Sequence, residues 1–474
     1  MAEATKQLVP VDTLNEDQKK AFEELRDFII NRYDDRVYVL KGWAGTGKTY
    51  CISILIRYVL EVIHKSNRWY KIAVTGPTNK SVKVIKRASS IRNPRVVFQT
   101  IHKLLGLQEK ITPDGKQEFV SDYGSSQIGN ISLLIIDEVS MLNDELFEEL
   151  IKHRDRIKII CMGDPAQIPP VGRPDCIPFR DDLLEKYGIE TLSLKTIMRQ
   201  KSGNPIIDSS IKIRENIESP SKVLDPVSNL LENGEGIEFL DINEPEVRRD
   251  FRGILAKYFK SKEFENDAEY TKIIAWRNKT VSTMNDLVRK IIFGDDSEKS
   301  KILPGEKLIA NNPIIRTGSV LFPTNEEFTV ISYELDSEKF IFPYLEIGET
   351  NIRFYNTKVK YYDDDFKECK SNIYILHEDS QSAYDMIASA LKKHAIKVGG
   401  KDKAWLKYYE FLREYDDVGY SYSITAHKSQ GSTYQYSFVF EDDIDLNIDV
   451  IERNRIKYTA YTRASKKLYV IRAK

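Results

Sequence analysis

"KGWAGTGKTY", residues 41–50, decides the architecture. Gly42, Gly45 and Gly47 crowd one short loop, and Lys48 and Thr49 follow directly. Glycine loses more conformational entropy on folding than any other residue, so a loop this rich in it needs a reason. Val37-Tyr38-Val39-Leu40 before it reads as a buried strand, and residues 51–60 (CISILIRYVL) after it read as a helix with an apolar face. Strand, glycine loop and helix in that order make a phosphate cradle, because bare backbone N–H groups approach an anion closely. The helix N-terminus adds partial positive charge. Lys48 would reach the β- and γ-phosphates of a nucleotide, and the Thr49 hydroxyl would hold Mg²⁺. An ordinary strand-to-helix turn explains one or two glycines but not Lys-Thr at that offset.

The chain has 474 residues, room for two to four domains. Its net charge is −1, so a nucleic-acid binder of this composition must gather its basic residues in a groove. Cys51, Cys161, Cys176 and Cys369 lie far apart, which suggests neither a zinc site nor a disulfide framework and favours a reducing, cytoplasmic setting. The opening MAEATKQLVPVDTLNEDQ lacks the apolar core of a signal peptide, and no apolar run approaches a membrane span.

LNEDQKKAFEELRDFII (residues 14–30) reads as an amphipathic helix capped by Asn15. VYVL, KIAVTG, ISLLIIDE and IKIICMGD then alternate with helical patterns, and their apolar runs suit a parallel sheet buried on both faces. Between 107 and 130, EKITPDGKQEFVSD reads as a β-hairpin turning on Pro113-Asp114-Gly115, inserted into an α/β domain of residues 1–190. A second α/β body comprises 191–305 and 417–474, interrupted by 306–416, where short β runs precede a charged helical stretch. The fold class is α/β, with one insertion in each body.

Asp137 and Glu138 end the strand of LLIIDEVSM, where open α/β sheets bind ligands. Asp137 would hold Mg²⁺ and Glu138 would deprotonate the attacking water. Gln167 in CMGDPAQIPPV, after the next strand, is the expected γ-phosphate sensor. Arg199 in IMRQ and Arg463 in YTAYTRA would meet the developing charge from a second body. YSITAHKSQGSTY concentrates phosphate-contacting groups: Thr425, His427, Lys428, Ser429, Gln430 and Gly431. Pro77, Thr78, Asn79 and Lys80 start a helix in a way that suits a nucleic-acid phosphate, and Thr100 and His102 of QTIHKLL suit the same role. Lys83, Lys86 and Arg87 read as a solvated face, and Asp363-Asp364-Asp365 as a solvated turn.

In order, GWAGTGKT, GPTNKSV, TIHKLL, IIDEVSM, GDPAQIPPV, IMRQ, ITAHKSQGSTY and YTAYTRA resemble the motif series of superfamily 1 helicases, in the B-type, RecD/Dda-like branch. LNEDQKKAF, NPIID, AWRNKTV and VGGKDKAW extend the resemblance, which covers nearly the whole chain and is weakest between 306 and 400. It implies an ATP-dependent DNA helicase that moves 5′ to 3′ on single-stranded DNA and opens forked duplexes as a monomer, in phage-type replication, recombination or repair, alongside a single-stranded-DNA-binding protein. It implies two RecA-like domains with ATP and Mg²⁺ between them. Gln18 would read the adenine. Gly42, Gly45, Thr46, Gly47, Lys48, Thr49, Gln430 and Gly431 would surround the nucleotide, and Arg199 and Arg463 would cross the cleft. The hairpin becomes a strand-separating pin with Phe119 as its wedge, and 306–416 an SH3-like barrel with a helical tower. Trp276 and Asn278 of AWRNKTV would lie on DNA; Trp276-Arg277 departs from the pattern of that branch, and Trp276 either stacks on a base or fills core.

Two rivals share the ATPase motifs. One is a translocase or remodeller that does not unwind, which only the hairpin argues against. The other is a signalling switch, but neither Asn79-Lys80-Ser81-Val82 nor Asn278-Lys279-Thr280-Val281 supplies the Asp of a guanine reader. No residue reveals polarity.

Overall fold

The computed structural model describes residues 10–32, 36–62, 69–112, 117–121, 124–170, 177–196, 203–220, 227–316, 319–345, 347–363, 367–398 and 403–472. Helix α1 (Glu16–Ile30) starts at Asn15, whose side chain accepts from Gln18 N–H while the Gln18 side chain accepts from Asn15 N–H. This reciprocal cap satisfies two otherwise orphaned donors. Ala21, Phe22, Leu25, Phe28 and Ile29 form its buried stripe.

Strand β1 (Val37–Gly42) feeds α2 (Lys48–Val62). Strand β2 (Ile72–Gly76) feeds α3 (Asn79–Ser89), and β3 (Val96–Thr100) feeds the short α4 (Ile101–Leu105). Strands β4 (Leu107–Ile111) and β5 (Gln117–Ser121) pair antiparallel, with Glu109 opposite Phe119. The hairpin is therefore present, while the Pro113-Asp114-Gly115 turn and the Phe119 side chain lie outside the described residues. Strands β6 (Leu133–Ile136), β7 (Lys158–Gly163) and β8 (Glu190–Leu194) complete a parallel sheet ordered β3-β2-β6-β7-β1-β8. Alternate residues serve opposite cores: Tyr38 and Leu40 pack on the α1/α2 side, Val37 and Val39 on the other. Because β8 pairs with β1, Tyr38 opposite Glu190, the first sheet runs to Leu194, past the boundary expected at 190.

The second body begins with α5 (Pro205–Glu215). Its strands β9 (Asn229–Leu230), β10 (Gly236–Asp241) and β11 (Thr271–Ala275) precede α6 (Asn278–Phe293) and the insertion. The insertion holds β12 (Lys307–Ala310), the pair β13 (Ile314–Arg316) and β14 (Ser319–Phe322), the long hairpin β15 (Glu327–Phe340) and β16 (Thr350–Tyr362), and β17 (Glu368–Leu376). Helices α7 (Gln381–Val398) and α8 (Ala404–Leu412) follow, then β18 (Val418–Tyr420). Its main sheet is antiparallel, ordered β17-β16-β15-β12-β18. The near end of the long hairpin packs on Leu308, Phe322 and Ile373. The far end, through Ile352 and Phe354, packs on Ile387, Leu391 and Phe411 of the two helices. The chain then returns with β19 (Ser423–Thr425), β20 (Tyr434–Phe440), α9 (Val450–Tyr461) and β21 (Ala464–Arg472). The second sheet is ordered β19-β11-β20-β21-β10-β9, parallel except for the β9 edge.

Parallel order has a functional consequence. Every strand of the first sheet delivers its following loop to the same edge, which is where such sheets bind ligands. The phosphate loop, Pro77, Thr100, Asp137 and Asp164 all lie there, and Trp276 and Thr425 occupy the corresponding edge of the second sheet.

Candidate nucleotide cleft and nucleic-acid face

Gly45 and Gly47 have φ of 80° and 74°, the left-handed region that glycine enters without strain. A Cβ on Gly47 would stand 2.5 Å from Gln18 Nε2, so the loop is also pressed against α1. Lys48 Nζ donates to the carbonyls of Gly42 (2.7 Å) and Trp43 (3.1 Å), folding its ammonium back over the loop. The Thr46 hydroxyl donates to Trp43 C=O at 2.9 Å and is fully buried. Gln18, 1% exposed, donates from Nε2 to Thr46 C=O at 2.9 Å and accepts from Asn15 N–H through Oε1. Both ends of the amide expected on adenine are thus engaged, Nε2 in bracing the phosphate loop and Oε1 in capping α1.

Burial pushes the Asp137 carboxyl up to about 7, and the Glu138 charge adds to it; Lys48, the Glu138 N–H and the Thr49 hydroxyl oppose the shift. Asp137 therefore sits beside both Lys48 and Thr49. Glu138 holds φ at 52°, a left-handed conformation that a non-glycine residue adopts at a cost of about 1–3 kcal/mol. One carboxylate beside one hydroxyl at a phosphate cradle matches the hard-oxygen chemistry of Mg²⁺, which keeps its other positions for water and phosphate. Among the described residues no group of three His, Cys, Asp or Glu side chains converges on a metal-sized site.

Opposite this loop stands α9. Arg463, just past its end and 3% exposed, donates from Nε to Thr459 C=O (2.9 Å) and from its terminal nitrogens to Ser432 C=O (3.1 Å) and the Thr462 hydroxyl (3.0 Å). It makes no ion pair among the described residues; burial lowers its pKa, and Glu138 is the first acidic group opposing that shift. Gln167 is 4% exposed and its buried Oε1 has no partner among the described residues. Gln430 Nε2 reaches across to Ile168 C=O at 2.8 Å, so it ties the two bodies together. Gly431, with φ of 72°, lies against Ser81 at the start of α3 rather than on the phosphate loop. Arg199 lies outside the described residues.

The nucleic-acid candidates divide. Thr78 caps α3, its hydroxyl accepting from Ser81 N–H at 3.1 Å, and Thr100 caps α4 in the same way. Pro77, Asn79, His102, Thr425, His427 and Lys428 are half-buried on the strand-end edge, and Asn278 is exposed at the head of α6. Burial holds the His102 and His427 imidazoles below their ordinary value, in His427 against the charge of Glu452. Lys428 Nζ donates to Asn311 Oδ1 of the insertion at 2.9 Å.

Three expectations change. Ser429 is fully buried with its hydroxyl donating to Ala426 C=O at 2.7 Å, so it holds its own turn instead of facing a phosphate. Lys80 is not open to a ligand: its ammonium pairs with Glu327 (3.3 Å) and contacts the Tyr434 hydroxyl (3.4 Å). Lys83, read as solvated, pairs with Glu326 at 2.7 Å and donates to Tyr362 C=O. In each case a partner distant in sequence, or burial of a whole turn, overrides local polarity. Trp276 packs half-buried against the second body's core, and its backbone N–H donates to Asp443 Oδ2 at 2.8 Å.

Sequence reasoning quoted but did not assign Asp164 and Tyr458, and it passed over Arg214. The Tyr458 hydroxyl donates to Asp164 Oδ2 at 2.6 Å and accepts from Ala44 N–H at 3.1 Å. Arg214 pairs with Asp164. Asp164 and Tyr458 stood inside recognised motifs; nothing around Arg214 marked it.

Comparison with known proteins agrees with this geometry. The AAA domain family matches residues 13–229, and the UvrD-like helicase C-terminal domain matches residues 420–471. An uncharacterized protein of Acanthamoeba polyphaga mimivirus is 29% identical over 96% of this chain and 99% of its own. The ATP-dependent DNA helicase dda of Enterobacteria phage T4 is 24% identical over 95% of this chain and 98% of its own. The solved structure of Pif1 helicase from Candida albicans aligns over 97% of this chain and 94% of its own, at 17% identity and a TM-score of 0.47. With two RecA-like bodies, a phosphate loop on one and a buried arginine on the other, and with these family matches at both ends, the chain has the makeup of an ATP-dependent DNA helicase and resembles the RecD/Dda-like branch of superfamily 1.

Proposed function

We propose that the protein translocates 5′ to 3′ on single-stranded DNA and unwinds duplexes at forks, in DNA replication, recombination or repair. The observation that carries this reading is that the nucleotide cleft is built by two bodies: Lys48, Thr49, Asp137 and Glu138 from the first, and Arg463 from the second, which is buried without an ion pair among the described residues. The phosphate loop and Lys48 hold the β- and γ-phosphates of ATP, and Glu138 takes the proton of the attacking water. Gln167 offers its amide oxygen, which has no partner among the described residues, to that water, and its Nε2 donates to the γ-phosphate. Arg463, with Arg199, stabilises charge developing on the transferred phosphoryl group. Thr49 and Asp137 would hold Mg²⁺, which neutralises phosphate charge when bound.

Loss of the γ-phosphate removes what ties Arg463 to the first body, so hydrolysis releases the cleft. A strand gripped by Pro77, Thr78, Asn79, Thr100 and His102 on one body, and by Asn278, Thr425, His427 and Lys428 on the other, meets a changing spacing each cycle. Alternating grip converts that change into steps. Polarity rests on the family resemblance alone. Translocation without unwinding is the second reading, and the β4–β5 hairpin, which the ATPase chemistry does not use, favours unwinding.

The test uses forked duplexes carrying only a 5′ or only a 3′ tail, with ATP. Strand separation on the 5′-tailed fork alone is expected. Separation on the 3′-tailed fork reverses the polarity, and DNA-stimulated hydrolysis with no separation on either selects the translocase.

A further inference from the structure

The loop that carries Gln167 is held from the second body at both ends. At its start Asp164, fully buried, accepts from the Tyr458 hydroxyl at 2.6 Å, pairs with Arg214, and accepts from Ala166 N–H at 3.1 Å. At its end Ile168 N–H donates to the Thr459 hydroxyl at 3.3 Å, and Ile168 C=O accepts from Gln430. Gln167 lies between these anchors, and its own N–H donates to Asp164 C=O at 3.1 Å.

The Tyr458 hydroxyl uses everything a phenol has. It donates to Asp164, accepts from Ala44 N–H of the phosphate loop, and accepts from an Arg214 terminal nitrogen at 3.3 Å. A hydroxyl offers one donor and two acceptor positions, so none is left over. One oxygen on α9 thereby touches both the phosphate loop and the loop of Gln167. Arg214 is placed by aromatic faces as well as charge, its guanidinium 5.0 Å from the Trp43 ring centroid and 5.5 Å from that of Tyr458. Arg463 follows on the same helix end, bonded to Thr459 C=O.

We infer that Tyr458 and Arg214 are positioning residues for ATP hydrolysis: on closure of the cleft they set the spacing between the phosphate loop and Gln167, so that the γ-phosphate is cleaved only when the second body is docked. This rests on the ATPase roles proposed above and adds the device that makes one body's chemistry depend on the other's position. Substrate binding by the phosphate loop does not need the second body; orientation of Gln167 does. The two functions separate into KM and kcat.

Tyr458→Phe is the informative variant, because it deletes one oxygen and keeps the ring that packs on Arg214. Hydrolysis is measured with saturating oligo-dT as the DNA. The expected result is a kcat about 10- to 100-fold below wild type, the size associated with a hydrogen bond to a charged partner. The ATP KM should stay within about threefold, and the melting temperature should be little changed. In a Gln167→Ala background the same change should cost less than about twofold, since the residue it positions is gone. A kcat within about twofold of wild type, a KM increase at unchanged kcat, or a full multiplicative loss on Gln167→Ala overturns the inference. A wild-type protein whose hydrolysis ignores DNA overturns the proposed function instead, a result visible before any variant is made.

Discussion

Lys83 on α3 and Glu326 at the mouth of β15 are bonded at 2.7 Å, joining the first body directly to the insertion of the second. Lys80, one turn earlier, pairs with Glu327, which also pairs with Lys272 at 2.9 Å. The helix whose head carries Thr78 and Asn79 is therefore clamped by the insertion. Lys83→Glu should destabilise the closed arrangement by about 1.5–3 kcal/mol, the range for a hydrogen bond to a charged group. Adding Glu326→Lys should restore most of the loss in thermal melts. If the double variant melts no higher than Lys83→Glu alone, the pair is not a specific clamp.

Glu327 predicts a pH dependence. Burial alone would raise its pKa, but Lys272 and Lys80 outweigh it and hold the carboxyl at about 2. A carboxyl depressed by folding stabilises the protein above its unfolded value, near 4.5, and loses that contribution as pH falls toward 2. Glu327→Gln should thus melt below wild type at pH 6, and the gap should close between about pH 4.5 and pH 2. A gap that stays constant over that window would remove the carboxylate from the argument.

Glu138→Gln keeps the shape of the side chain and removes the base. It should bind ATP, as followed by a fluorescent analogue, while its turnover falls by about 10²-fold or more. Lys48→Ala should lose both. Turnover near wild type in Glu138→Gln would disprove the assignment of the base.

Arg463 is buried, with its guanidinium held by Thr459 C=O, Ser432 C=O and the Thr462 hydroxyl. Arg463→Ala should lower kcat by about 10³-fold while ATP affinity falls less. Arg199→Ala should behave alike. A DNA-stimulated rate unchanged in either variant would exclude that arginine from the cleft.

The hairpin separates unwinding from translocation. Unstacking a base pair costs a few kcal/mol, and stacking a base on an aromatic side chain returns about 1–3 kcal/mol. Phe119→Ala should slow separation of forked duplexes while sparing DNA-stimulated hydrolysis and movement on single strands. Equal loss of all three would show Phe119 to be core, and unimpaired unwinding would place the wedge elsewhere.

What residues 41–50 determine is local: left-handed glycines, a helix N-terminus and Lys48 are contiguous, and their geometry follows from backbone sterics alone. The same holds for the Asn15 cap and for the apolar strands, whose burial on both faces is written as unbroken runs. Asp137 and Gln167 were legible because a strand end in a parallel sheet has one place to go. Tyr458, Asp164 and Arg214 meet only because two bodies close on each other, and no spacing along the chain encodes that closure. Lys83 looked solvent-facing, and Lys80 and Ser429 looked free to meet a phosphate, for the same reason: a charge or a hydroxyl shows its polarity in the sequence, but whether water, a ligand, a carboxylate or a buried turn satisfies it depends on segments hundreds of residues away or on how a loop folds onto its own carbonyls.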